Sequence, residues 1–186
     1  IALENKIAEF LGYDHVALFP TGWAAGFGVI KGLVRPHDYI VMDALSHACL
    51  QEGAQAATRN IHLFRHNQVE GAREKLAKIR AADTENGILL VTESLFSMDS
   101  DTPDIAALQA LCHEYNAILV VDVAHDLGNL GPTGAGFVEA NVQCQHDASR
   151  IDLLEPRDDL VGRVDRDAAH DGTFDAAVQQ RLHTRE

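Results

Sequence analysis

The chain has 186 residues, 46% of them apolar and 23% charged, which suits one soluble globular domain or part of a larger one. Its 15 basic and 28 acidic side chains leave a formal charge of −13, so nucleic acid and anionic bilayers would be repelled, and the sequence offers no basic patch to reverse that. No apolar run approaches a membrane span and no basic start precedes one as in an export signal, so a cytoplasmic protein is expected. Cys49, Cys112 and Cys144 stand far apart with no C-x-x-C pair, which predicts reduced thiols rather than a disulfide framework or a zinc clip. Ile1 already lies inside a helical pattern, and the chain reads as a fragment.

Leu3, Ile7, Phe10 and Leu11 recur at helical spacing and Gly12 follows, which predicts an amphipathic helix with a glycine stop. Val16 to Phe19 reads as a short buried strand, Pro20-Thr21-Gly22 as a turn, and Trp23 to Leu33 as the next helix. The alternation continues with Tyr39 to Met42 as strand, Ser46 as a cap, an alanine-rich helix to about Ala57, and Ile61 to Phe64 as strand. Asn67 and Glu70 have the spacing of a capping box, and the helix they open turns Leu76 and Ile79 inward. Ile88 to Val91 is apolar throughout, as in a strand covered on both faces. Thr102-Pro103 then starts a helix with Ile105, Leu108, Leu111, Cys112 and Tyr115 as its buried stripe, before a second unbroken strand, Ala117 to Val121, that ends at Asp122.

Strand and helix alternate to Asp122, so the fold class expected is α/β: a mostly parallel sheet in three layers, with helices on both faces. Ligands in such sheets gather at the carboxyl ends of strands. That directs attention to Thr21–Trp23, Asp43–His47, Thr92–Ser97 and Asp122–His125. After about residue 140 the character changes. Residues 141–186 carry ten acidic and six basic side chains, all six arginine, with little apolar periodicity and no lysine. They are expected to form a separate, poorly ordered tail, of biased composition or read from a shifted frame.

Each candidate segment is ambiguous by itself. Thr21-Gly22-Trp23 offers backbone N–H groups, a hydroxyl and a helix N-terminus, which can hold a phosphate, but a turn that merely packs a helix on a sheet looks the same. Asp122 either caps its turn or points a carboxylate into a site. His125, three residues on, suits a surface position as well as a ligand. No further His or Cys falls at metal-ligand spacing. Glu93 to Asp101 reads equally as a solvated loop. His62 and His66, four apart on a predicted strand and its exit, are given no role.

Taken in order, Phe-Pro-Thr-Gly-Trp-Ala-Ala, Asp-Ala-Leu-Ser-His-Ala, Thr-Glu-Ser-Leu-Phe-Ser-Met-Asp-Ser-Asp and Val-Asp-Val-Ala-His-Asp-Leu-Gly, followed by Gly131, Gly134 and Gly136, resemble the α-oxoamine synthase family over residues 1 to about 140. These are fold-type I enzymes that use pyridoxal 5'-phosphate to condense an amino acid with an acyl-CoA. The resemblance implies a partial cofactor-binding large domain over 1–140 and a homodimer in the intact relative. It implies that Thr21, Gly22 and Trp23 hold the cofactor phosphate, that His47 stacks on the ring, and that Asp122 pairs with the ring nitrogen. Ser97 and His125 would hydrogen-bond the phenolic oxygen, with Glu93 in a supporting part. Catalytic roles are thereby implied for His47, Asp122 and His125.

The sequence also departs from the family. Relatives carry the imine-forming lysine 30 to 40 residues after the aspartate. Here Ile151 to Leu154 echoes the preceding strand, yet no lysine follows Lys78. Gly26 stands where many relatives have asparagine, and Val123 where many have an acidic residue. Two expectations follow: a chain inactive alone, or a catalytically silent binding or regulatory subunit of an intact relative.

Overall fold

Strands β1 (Tyr39–Asp43), β2 (Asn60–Phe64), β3 (Ile88–Glu93) and β4 (Ile118–Asp122) pair in the order β2-β1-β3-β4, every neighbour parallel. The structure is a computed structural model and describes residues 2–11, 13 and 15–136. Five helices accompany the strands among these residues: α1 (Ala2–Leu11), α2 (Gly22–Leu33), α3 (Ala48–Ala57), α4 (Val69–Ala82) and α5 (Ile105–Glu114). The α/β class and the parallel sheet are as the sequence predicts.

Alternation along each strand sends successive side chains to opposite faces. Ile40, Met42, Leu89, Val91 and Val120 therefore meet α2 and α3 on one face, through Ile30, Leu50 and Ala54. Val41, Phe64, Ile88 and Leu90 meet α4 and α5 on the other, through Leu76, Leu108 and Leu111. Central β3 is buried at all six positions, which is why it reads as an unbroken apolar run. Helices α2 and α3 approach closely because each offers a glycine at the contact. A Cβ on Gly26 would fall 2.5 Å from Cys49 Sγ, and one on Gly53 would fall 3.0 Å from the Phe27 carbonyl oxygen. Buried Cys49 and Cys112 are free thiols. No helix among the described residues is long and apolar enough to cross a membrane.

Several local expectations are corrected. Val16 to Phe19 is not a strand: the segment belongs to no ladder and is half-buried at best, because an apolar run becomes a strand only where a neighbour takes its backbone groups. Helix α3 is capped by His47, whose Nδ1 accepts from the Cys49 N–H, while Ser46 is buried beneath it. Asn67 and Glu70 form no capping box. Gln68 holds the N-cap position of α4 without a side-chain bond, and Asn67 takes a left-handed φ of 55° to serve other partners. Asp104, rather than Thr102, caps α5 through the Ala107 N–H. Helix α1 forms as expected but buries none of its residues, and Phe10 is 54% exposed. Gly12, Cys144, Ile151–Leu154 and the whole 141–186 tail lie outside the described residues.

Candidate functional site

Parallel pairing aligns the carboxyl ends of the strands along one edge of the sheet. Asp43 ends β1, and Glu93 and Asp122 are register partners at the ends of β3 and β4. Strand alternation puts Glu93 and Asp122 on the face covered by α2 and α3, with Val91 and Val120, and puts Asp43 on the opposite face, with Val41.

Glu93 is 3% exposed and accepts the backbone N–H of His47 at 2.6 Å. Burial first, then the charge of Asp122, pushes its carboxyl up to about 7, against the pull of the His47 N–H. Asp122 is half-buried. Its Oδ1 accepts the Ala124 N–H at 2.9 Å, so the turn-capping role is real. The Asp122 carbonyl accepts from Ser94, N–H at 2.8 Å and hydroxyl at 3.2 Å, which fastens the loop after β3 to the end of β4.

His47, tied to Glu93 by its backbone N–H, is exposed. Its Nδ1 accepts from the Cys49 N–H and lies 3.0 Å from Cys49 Sγ, which leaves Nε2 to carry the proton in the neutral ring. Burial, and next the charge of Asp122, pushes the Cys49 thiol up to about 11. The Trp23 ring meets His47 edge-on, with centroids 5.7 Å apart and planes at 77°. Trp23 opens α2 behind Thr21, whose hydroxyl oxygen accepts the Ala24 N–H at 3.0 Å. The N–H groups of Gly22 and Trp23, in the first turn, have no partner inside the helix and carry the positive end of its dipole.

The structure thus brings Thr21, Gly22, Trp23, His47, Glu93 and Asp122 to one corner of the sheet edge. Ser97 and His125 lie on the loops that leave β3 and β4 at the same edge, both exposed. The His125 carbonyl accepts from Asn129 Nδ2 at 3.3 Å.

Three neighbouring residues carry more than their sequence positions suggest: Asp43, His66 and Asp101 form a bonded trio on the far face. The signal for them was their position, at the end of β1, just past β2 and in the loop after β3. Among the described residues no cluster of His, Cys, Asp or Glu is arranged to hold a metal ion.

The corner suits a compound with an anion at one end and a cationic group at the other. Helix N–H donors face outward from α2, and a carboxylate stands on β4 beside a second one whose proton affinity it raises. A positive charge near Asp122 would relieve that repulsion. The four lysines stand on helices: Lys6 on α1, Lys31 in the last turn of α2, at the opposite end from Gly22 and Trp23, and Lys75 and Lys78 on α4.

The family model described as aminotransferase class I and II matches residues 1–161. The 8-amino-7-oxononanoate synthase of Pectobacterium atrosepticum is 42% identical over 135 residues, which is 73% of this chain and 34% of that protein. The serine palmitoyltransferase of Caulobacter vibrioides is 36% identical over 140 residues, 75% of this chain and 34% of the relative. A serine palmitoyltransferase structure from S. paucimobilis, with a bound adduct of pyridoxal phosphate and myriocin, superposes with a TM-score of 0.71 at 33% identity, covering 75% of this chain and 34% of that one. The chain spans about a third of the length of the curated relatives it matches.

Proposed function

The chain belongs to the aminotransferase class I and II family, and on that premise we propose that it carries part of a pyridoxal-phosphate site in a transferase of the α-oxoamine synthase type, which condenses an amino acid with an acyl-CoA. The observation that carries this reading is the junction of Trp23, His47, Glu93 and Asp122 at one corner of the sheet edge.

Pyridoxal phosphate, when bound, supplies an electron sink for negative charge at the α-carbon of the amino acid. The chain's residues hold and orient it. The Gly22 and Trp23 N–H groups and the Thr21 hydroxyl bind the phosphate, where the dipole of α2 favours an anion. The imidazole of His47 covers one face of the ring. Asp122 keeps the proton on the ring nitrogen, because a carboxylate beside N–H⁺ favours the charged form. Glu93 fixes His47 through its backbone N–H. Its own carboxyl is pushed up to about 7 by burial and by the charge of Asp122. Ser97 and His125, from the loops after β3 and β4, hydrogen-bond the phenolic oxygen.

Residues 1–140 act in this reading as a partial large domain and 141–186 as a distinct tail. Because no lysine follows Lys78, the 186-residue polypeptide binds the cofactor without a covalent bond and does not turn over alone. Incubation with pyridoxal phosphate, reduction with borohydride and peptide mass spectrometry test this. Saturable binding that Asp122→Ala abolishes, with no single reduced lysine and no condensation of amino acid with acyl-CoA, is expected. One specifically labelled lysine together with turnover would overturn it. Retention of Asp122 and His47 without the lysine also favours a second reading, a silent subunit of a complete relative. Co-purification with a lysine-bearing homologue distinguishes the two.

A further inference from the structure

On the face of the sheet opposite the site, three chain segments meet at one imidazole. His66 Nδ1 lies 3.0 Å from Asp43 Oδ1, and its Nε2 lies 3.2 and 3.0 Å from the two carboxylate oxygens of Asp101. Asp43 also accepts the backbone N–H groups of Leu45 and Asn67, each at 2.9 Å. Asn67 Nδ2 donates to Asp101 at 2.8 Å. Carboxylates only accept, so both ring nitrogens must donate, which the imidazolium alone can do.

The same ring anchors the other end of the loop. Buried Phe96 meets His66 edge-on at 4.4 Å. The loop closes on itself through the Phe96 N–H to the Asp101 carbonyl at 3.0 Å and the Ser100 N–H to the Phe96 carbonyl at 2.9 Å. Both ends of 96–101 therefore hang on His66, while Ser97 and Met98 between them are exposed.

We propose that His66 is a positioning residue: strung between Asp43 and Asp101, it sets the 96–101 loop and with it Ser97. The consequence for the cofactor rests on the reading of Ser97 given above. Burial pulls the proton affinity of His66 down, but the bonds to Asp43 and Asp101 outweigh it, and the imidazole is held above its ordinary range. Asp43 at the end of β1, Asp101 in the loop and Glu93 at the end of β3 are the charged and titratable groups that act on it. Losing the proton removes one of the two donors, so the loop loosens as pH rises through the folded value.

The test uses the full chain. Hydrogen-exchange protection of the 97–100 amides is followed from pH 6 to 9, beside pyridoxal phosphate binding read from Trp23, the sequence's single tryptophan. Asp101→Asn is expected to lower loop protection and weaken cofactor binding about tenfold, the size of one charge-assisted hydrogen bond. It is also expected to move the pH inflection of loop protection downward and to combine non-additively with Ser97→Ala in cofactor binding. Unchanged loop protection with an unmoved inflection would overturn the proposal. So would a single neutral tautomer of His66 at pH 6, below the ordinary imidazole value, in the side-chain nitrogen spectrum of the unsubstituted chain. Loop protection that depends on His66 in a chain that never binds the cofactor would support the anchoring and refute the cofactor site.

Discussion

Glu93 and Asp122 are register partners at the carboxyl ends of β3 and β4, and the strand alternation turns both toward α2 and α3. Two carboxyl groups placed this way do not ionise independently: Glu93 is held near 7 by burial and by the charge of its partner. Its folded value lies above its unfolded one, so the folded chain binds the proton more tightly. The resulting stability is full below the unfolded value and is lost as pH rises through about 7.

Glu93→Gln copies the neutral acid and keeps an oxygen for the His47 N–H. The variant is expected to match the unsubstituted chain near pH 4 and to exceed it by about 2 kcal/mol at pH 8. Urea denaturation across that range checks it. Parallel pH profiles in the two chains would mean that Glu93 is ionised throughout.

Gly26 makes a second, purely steric prediction. A methyl group there would sit 2.5 Å from Cys49 Sγ and 3.3 Å from Leu50 Cδ2, inside the α2–α3 contact. Gly26→Ala is expected to destabilise by about 1–3 kcal/mol despite the better helix propensity of alanine. Cys49→Ala removes the offending sulfur, so the double variant should recover most of the loss, and a double-mutant cycle in urea measures the coupling. An asparagine, common at this position in the α-oxoamine synthases that the sequence resembles, has no room beside Cys49.

Arg80 is a third test, far from the site edge. Its guanidinium donates to the carbonyls of Tyr115 and Asn116, each at 2.6 Å, and to those of Asn86 at 2.8 Å and Asp83 at 3.4 Å. It thereby ties the end of α5, where Asn116 takes a left-handed φ of 52°, to the turn after α4. Lysine cannot reproduce a planar fork, so Arg80→Lys is expected to cost about 2–3 kcal/mol, measured by thermal or urea unfolding.

Legibility in the sequence followed the range of the interactions involved. Ile88–Val91 is readable as a strand because burial on both faces leaves an unbroken apolar run, and Ala117–Val121 is readable by the same apolar run although Ile118, Leu119 and Val121 are only half-buried. Val16–Phe19 has the same pattern but joins no ladder, and pattern alone cannot report whether a neighbouring strand exists. Caps were misplaced by one or two residues where a side chain had a distant partner, as at Asn67, which serves Asp43 and Asp101 instead of its own helix. The site edge was legible from the rule that ligands collect beyond parallel strands. His66 was not, since its partners lie 23 and 35 residues away and become neighbours only when the sheet forms.

The last prediction separates the two ends of the proposed site by choice of probe. Thr21 caps the N-terminus of α2, which in the proposed site takes the phosphate, whereas Asp122, which caps its own turn through the Ala124 N–H, is proposed to face the ring nitrogen. Thr21→Ala, which also removes about 1 kcal/mol of capping, should weaken pyridoxal phosphate and inorganic phosphate alike. Asp122→Asn should weaken pyridoxal phosphate about tenfold or more, the scale of a lost ion pair with little solvent between, and leave inorganic phosphate unchanged. Trp23, 46% exposed at the start of α2, reports both titrations by fluorescence. Equal losses for both probes in Asp122→Asn would make that carboxylate a structural cap of its turn, with no part in recognising the ring.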